Sequence, residues 1–115
     1  MDRKIVTYGG YFERFMHGLT EKEQQKVKYG LLLLKCQDKV STRFVKHIRD
    51  EVYELRTLYN GKIFRVFFVF DDGNIVVLFN GFQKKTQKTP ENEIELAIKI
   101  KESYYADKRP SDQGL

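Results

Sequence analysis

Two dipeptides in the second half of the chain, Asn60-Gly61 and Asp72-Gly73, constrain its fold more than any other feature. A type I′ turn needs positive φ at both central positions, and Asn-Gly and Asp-Gly are the pairs that supply it. The dipeptides join three runs rich in β-branched and aromatic residues, at 53–59, 62–71 and 74–80. The sequence therefore predicts consecutive antiparallel strands connected by two tight hairpins.

The predicted hairpins also define which residues face each other, because a two-residue loop sets the strand register. Counting back from the first loop places Arg56 opposite Arg65, and counting back from the second places Arg65 opposite Asn80. Two arginines directly opposed on neighbouring strands repel each other. Such a pair is tolerated where a carboxylate such as Glu54 lies nearby, or where the site binds an anion.

Side-chain alternation assigns the two faces of the predicted sheet. The face expected to form the core beneath the N-terminal helices comprises Tyr53, Leu55, Val66, Phe68, Val77 and Phe79. The arginine face continues to Lys84 of the segment GFQKKTQKTP, where Lys85 and Lys88 add further positive charge. The same face carries an apolar border that a protein partner is expected to bury, made of Phe67, Leu78, Leu58, Ile63 and Phe82.

Helices are predicted on both sides of this region. Thr20 and Glu23 have capping-box spacing and open a helix from about residue 21 to 37. The stretch YFERFMHGL predicts a shorter helix, STRFVKHI a helical turn and Lys4–Tyr8 a strand. Thr89 and Pro90 have the N-cap and first-position chemistry of a final helix. Together these elements predict an α+β fold, a twisted antiparallel sheet with two or three N-terminal helices on one face and a C-terminal helix whose apolar stripe is Ile94, Ala97, Ile98 and Tyr105.

Composition narrows the classes of function. The chain has 115 residues and a net charge of +5, which suits a phosphate-bearing partner. A chain of this length predicts one domain, over residues 1–107, and the polar sequence of residues 108–115 predicts a flexible tail. Cys36 is the only cysteine, and the N-terminus has no apolar run, so we expect a cytoplasmic protein without a membrane partner. His17 and His47 lie in separate segments and no zinc motif occurs, so we expect neither metal nor cofactor.

The segment from Tyr53 to Tyr105 resembles the second half of toxins of the RelE/HigB superfamily, and within it the phage-derived HigB-like branch. The matching pieces are ELR, FRVFF, LFNGFQKK and QKTP, followed by a helix with an acidic start. The resemblance implies a RelE-like fold in the toxin of a type II toxin–antitoxin module. It also implies a metal-independent endoribonuclease that cleaves mRNA on the ribosome and is silenced by a cognate antitoxin, expected to be a helix-turn-helix protein.

Carried over residue by residue, the resemblance implies Arg56, Arg65 and Lys84 as catalytic residues. Arginine matches phosphate oxygens two at a time, whereas a lysine of lowered pKa can accept a proton. The residues expected to bind RNA are Asn80, Phe82, Lys85 and Lys88. No histidine lies near this patch, so the general base stays open, with Tyr104 and Tyr105 as candidates.

Two other functions remain open on sequence grounds. A toxin of the same fold could inhibit gyrase, as ParE-type relatives do, and would not need the arginine row. A non-catalytic RNA- or protein-binding module could share the fold.

Overall fold

A computed structural model describes residues 2–84 and 89–108 of the chain. The elements in chain order are β1 (Lys4–Thr7), α1 (Tyr11–His17), α2 (Glu21–Cys36), β2 (Val45–Arg49), β3 (Val52–Tyr59), β4 (Lys62–Asp71), β5 (Ile75–Lys84) and α3 (Glu91–Lys108). The sheet has the strand order β1-β5-β4-β3-β2 and is antiparallel except for β1, which runs parallel to β5. The predicted α+β class is confirmed.

The predicted capping box at the start of α2 is confirmed. The Glu23 backbone N–H donates to Thr20 Oγ1 at 3.2 Å, and the Thr20 backbone N–H donates to Glu23 Oε1 at 2.9 Å. The predicted helical turn in STRFVKHI is wrong, because Val45–Arg49 forms strand β2. Asp50 and Glu51 connect β2 to β3 with φ values of 49° and 67°. An Asp-Glu pair is not a typical sequence for a tight hairpin turn, so the sequence contains no indication that β2 precedes β3 in a hairpin.

The first predicted hairpin is confirmed to the residue. Asn60 and Gly61 have φ values of 53° and 77°, and Arg56 lies opposite Arg65. The second loop is one residue longer than predicted, because Asp71 pairs with Ile75 and the Asn74 carbonyl accepts the Lys4 N–H at 2.8 Å.

Strand β5 also contains a β-bulge. Val66 pairs with Gly81 while Phe68 pairs with Leu78, so two residues of β5 stand opposite Phe67 alone. The predicted pairing of Arg65 with Asn80 is therefore wrong. Arg65 lies opposite Phe82.

The longer loop and the bulge redistribute the side chains of β5. Val77 and Phe79, predicted beneath the N-terminal helices, pack on the other face, and Leu78 takes the place predicted for them. Beyond the bulge the alternation shifts once more, so that Gly81 approaches Phe15 of α1. The prediction for the other strands is right, since the core beneath α1 and α2 includes Tyr53, Leu55, Val66 and Phe68.

Helix α3 covers the opposite face of the sheet. Ile94, Ala97 and Ile100 are buried against Phe67 and Phe79, with Ile98 and Tyr105 of the predicted stripe partly buried beside them. The helix begins at Glu91, one residue after the predicted start, and the Ile94 N–H donates to the Pro90 carbonyl at 3.3 Å. Its last residue is Lys108, where the sequence predicts the tail to begin.

A candidate active site on the sheet face beside α3

The centre of the candidate site is a buried ion pair. Arg65 Nη1 of β4 donates to Glu54 Oε1 of β3, and the two side chains are 3% and 1% exposed. The carboxylate that could offset the opposed arginines is therefore present, and it pairs with Arg65. Arg65 Nε has no hydrogen-bond partner among the described residues.

The second oxygen of Glu54 reaches the segment before α3. Thr89 Oγ1 donates to Glu54 Oε2 at 3.3 Å, so the hydroxyl predicted as an N-cap binds a side chain of the sheet. Glu54 thereby connects β3, β4 and the approach to α3. Removing one partner of a buried ion pair costs about 3–5 kcal/mol, so these contacts hold Arg65 firmly in place.

Lys84, at the end of β5, lies on the same face and is 7% exposed. Burial lowers the pKa of Lys84, and the positive charge of Arg65 lowers it further, while Glu54 acts in the opposite direction. A lysine in this environment loses its proton at a lower pH than an ordinary lysine and can act as a proton acceptor.

Three further cationic side chains of the described residues lie on the same sheet face as the pair of Glu54 and Arg65. Half-buried Arg56 faces Arg65, and Lys46 of β2 faces Glu54 across the strand pair. The charges of both also lower the pKa of Lys84. We call the group of Lys46, Arg56, Arg65 and Lys84 around Glu54 the cationic cluster. Lys46 was missed at the sequence level, because its place depends on strand β2.

The four residues expected to bind RNA differ in burial, and two of them lie outside the described residues. Asn80 is buried, and its Nδ2 donates to the Glu93 carbonyl and to Glu93 Oε1, each at 3.2 Å, so it ties β5 to α3. Phe82 is half-buried, with its ring centroid 5.6 Å from that of Phe67. Lys85 and Lys88 lie outside the described residues.

The two tyrosines considered as general bases belong to a different part of the molecule. Tyr104 OH donates to Asp71 Oδ2 at 2.6 Å, and Lys108 binds the same oxygen. Burial, followed by the bond to Asp71, raises the pKa of Tyr104, which disfavours its anionic form. Asp71 is six residues along β4 from Arg65, a distance of roughly 20 Å at the rise of a strand. Tyr105 packs against Tyr104 with ring centroids 5.1 Å apart.

Residues 14–102 match the family described as Phage derived protein Gp49-like (DUF891). The chain belongs to this family. The Gp49-like family is associated with toxins of the RelE/HigB type from toxin–antitoxin modules. The match extends from α1 into α3 and includes every member of the cationic cluster. A comparison with curated proteins found no match.

Membership in the Gp49-like family suggests an antitoxin partner. The helices among residues 2–84 and 89–108 include none that is long and apolar enough to cross a membrane. Within the same ranges, no three His, Cys, Asp or Glu side chains are grouped so that they could hold a metal ion.

Proposed function

We propose that this Gp49-like chain is the toxin of a type II toxin–antitoxin module, an endoribonuclease that cleaves mRNA on the ribosome and inhibits translation. The observation that carries the proposal is the cationic cluster, in which Glu54 pairs with Arg65 while three further cationic side chains lie on the same sheet face. Such an excess of positive charge is costly in a folded protein unless an anion binds there. The phosphodiester backbone of RNA is an anion of suitable shape and charge, and the family association supports the choice.

The two arginines differ in how they would hold the phosphate. Arg65 uses one of its five donors on Glu54, which leaves others for a phosphate oxygen. Arg56 is less buried and faces Arg65, so it can approach the same phosphate from the side of β3. Donors fixed before the substrate arrives stabilise the negative charge that builds on the phosphate oxygens in the transition state.

Lys84 would act on the proton of the nucleophile. The 2′-hydroxyl of the RNA attacks the adjacent phosphorus and gives its proton to Lys84 Nζ in its unprotonated form, which the lowered pKa makes more abundant than in an ordinary lysine. The bond from phosphorus to the 5′-oxygen breaks, and the departing oxygen takes a proton from water. The products are a 2′,3′-cyclic phosphate and a free 5′-hydroxyl, and the ribosome positions the mRNA for the attack.

The test is induced expression in cells followed by genome-wide mapping of mRNA 5′ ends. Arg56→Ala is the variant of choice, because Arg65→Ala would leave Glu54 buried without its partner and could unfold the chain. Arg14→Ala removes the same charge from exposed α1, away from the cluster. We expect new 5′-hydroxyl ends with the wild type and Arg14→Ala, and their loss with Arg56→Ala.

Two outcomes would contradict the proposal. Unchanged mRNA ends in cells that stop growing and lose plasmid supercoiling would identify a gyrase inhibitor. Unchanged ends and unimpaired growth, with the chain folded and abundant, would identify a non-catalytic binding module.

A further inference from the structure

The edge of the sheet next to the cationic cluster is open. Strand β2 pairs only with Val52–Leu55, so residues 56–59 of β3 have no neighbouring strand on this side among the described residues. The Arg56 N–H points outward and donates to the Phe44 carbonyl at 2.7 Å. Backbone direction alternates along a strand, so the N–H and C=O of Leu58 also point outward at this edge.

Large apolar side chains are exposed along the same edge. Leu58 is 60% exposed, Tyr29 of α2 is 59% exposed and Phe44 is 39% exposed. They line a cavity of about 180 Å³, together with Leu33, Lys26 and Arg56. A second cavity of about 340 Å³ shares Tyr29 and Lys26 with the first. We call these two adjoining cavities the α2–β3 groove.

The charge of the α2–β3 groove indicates the charge of the partner that binds there. Its lining includes Lys22, Lys26 and Arg56 but no aspartate or glutamate. An occupant with carboxylates and apolar side chains would be complementary to it. The outward backbone groups of Leu58 favour a protein strand over RNA, because a strand can pair with an open sheet edge and RNA cannot.

The apolar border expected from the sequence does not provide this surface. Phe67 and Leu78 are buried, and Ile63 and Phe82 are half-buried. Leu58 is the exposed member of that border, and it belongs to the α2–β3 groove. The surface available to a partner therefore lies along the edge of β3.

We propose that the α2–β3 groove binds an extended segment of the antitoxin, acidic and apolar in composition, which pairs with the open edge of β3. The inference depends on the proposed function, since that function identifies the partner as an antitoxin. The carboxylates of the segment pair with Lys26 and Arg56, and its apolar side chains fill the two cavities. Because Arg56 belongs to both the groove and the cationic cluster, a bound segment withdraws Arg56 from the substrate.

The first test compares two leucines of similar exposure. The chain is co-purified with the product of the adjacent reading frame, and the dissociation constant is measured by titration calorimetry. Leu58→Glu should weaken binding at least about tenfold, the effect of losing one anchor at the centre of an interface. Leu32→Glu is the control, since Leu32 is 52% exposed on α2 but lines neither cavity. Equal affinity for Leu58→Glu and wild type would overturn the inference.

Hydrogen exchange supplies a readout that does not depend on a substitution. The Leu58 amide should exchange more slowly in the complex than in the free chain, because the antitoxin segment accepts its hydrogen bond. An unchanged exchange rate, or an adjacent product that does not bind the wild-type chain, would overturn the inference. So would a Leu58→Glu variant that loses affinity for a twelve-nucleotide oligouridine while it binds the antitoxin normally, because that result makes the groove an RNA platform.

Cleavage of mRNA by the wild-type chain without its partner is measured in parallel, and it separates the two proposals. Cleavage by the wild type together with unaltered antitoxin binding by Leu58→Glu overturns the groove and leaves the endoribonuclease intact. Absence of cleavage together with impaired antitoxin binding by Leu58→Glu supports the groove and overturns the endoribonuclease.

Discussion

Lys84 is the residue on which the chemistry of the cationic cluster depends most. Its proximity to Arg65 was predicted from the strands, and its nearly complete burial was not, because burial depends on how α3 and the sheet pack. The structure places Lys84 where the charged form is disfavoured by burial and by two arginines. Keeping a buried lysine charged at neutral pH lowers the free energy of unfolding, so measurements of stability can test this environment.

Lys84→Met should raise the free energy of unfolding at pH 7, because methionine removes the charge and keeps most of the length. The folded pKa of Lys84 is below the unfolded value of 10.5, so the unfolded chain binds more protons between the two. The free energy of unfolding of the wild type therefore increases as the pH rises from the folded to the unfolded pKa of Lys84. The difference in this free energy between Lys84→Met and the wild type becomes smaller over the same interval. Urea unfolding at pH 7 and pH 10 checks this, with exposed Lys28→Met as the control. A destabilised Lys84→Met at pH 7 would contradict the assignment.

Glu54→Gln should destabilise the fold by about 3–5 kcal/mol, because it leaves the charge of Arg65 buried without a partner. The matched control is Glu91→Gln, which breaks the exposed ion pair between Glu91 and Arg49 and should cost less than about 1 kcal/mol. The double variant Glu54→Gln/Arg65→Gln should recover part of the loss. Chemical denaturation of the four proteins measures these differences, and equal losses for Glu54→Gln and Glu91→Gln would mean that the buried pair is unimportant.

At the scale of secondary structure, the loop after β4 and the bulge in β5 show what a hairpin signal can predict. Asn60-Gly61 predicted its register correctly because the two-residue loop is the whole connection. Asp72-Gly73 did not, because Asn74 joins the loop and the bulge adds a second one-residue shift. The two shifts add up to two residues, so Arg65 faces Phe82 and not Asn80. A displacement of two residues returns Lys84 to the predicted face, whereas Val77 precedes the bulge, is displaced by one residue and lies on the other face. The one local signal for the bulge is Gly81 beside it, because glycine inside a strand often marks a bulge.

Gly81, directly after the bulge, is where the close approach of α1 to β5 can be tested. A Cβ at Gly81 would lie 2.5 Å from Phe15 Cδ2, so Gly81→Ala should force the ring to move and destabilise the fold by about 1–3 kcal/mol. At Gly18 the nearest atom to a Cβ is the Phe15 carbonyl oxygen at 3.6 Å, an ordinary contact. Thermal unfolding should therefore show a large loss for Gly81→Ala and a small one for Gly18→Ala. Comparable losses would argue against the bulged register.

At the scale of the whole molecule, the sheet lies between α1 and α2 on one face and α3 on the other. The strand patterns, the capping box and the resemblance predicted this architecture and the two arginines of the site. They missed Lys46, since β2 was taken for a helical turn. They also missed the burial of Arg65, since burial depends on the packing of the folded chain. The open edge of β3 was missed for the same reason, because the sequence does not show where β2 begins.

The central claim is that the cationic cluster cleaves RNA, and a reconstituted reaction with purified ribosomes tests it most directly. The rate of mRNA cleavage is measured for the wild type, Lys84→Met, Lys84→Arg and the control Lys28→Met. We expect fragments with 2′,3′-cyclic phosphate and 5′-hydroxyl ends, a rate about 10²- to 10⁴-fold lower for Lys84→Met, and no full rescue by arginine, which keeps its proton. Cleavage by Lys84→Met at the wild-type rate, with the same ends, would contradict the account.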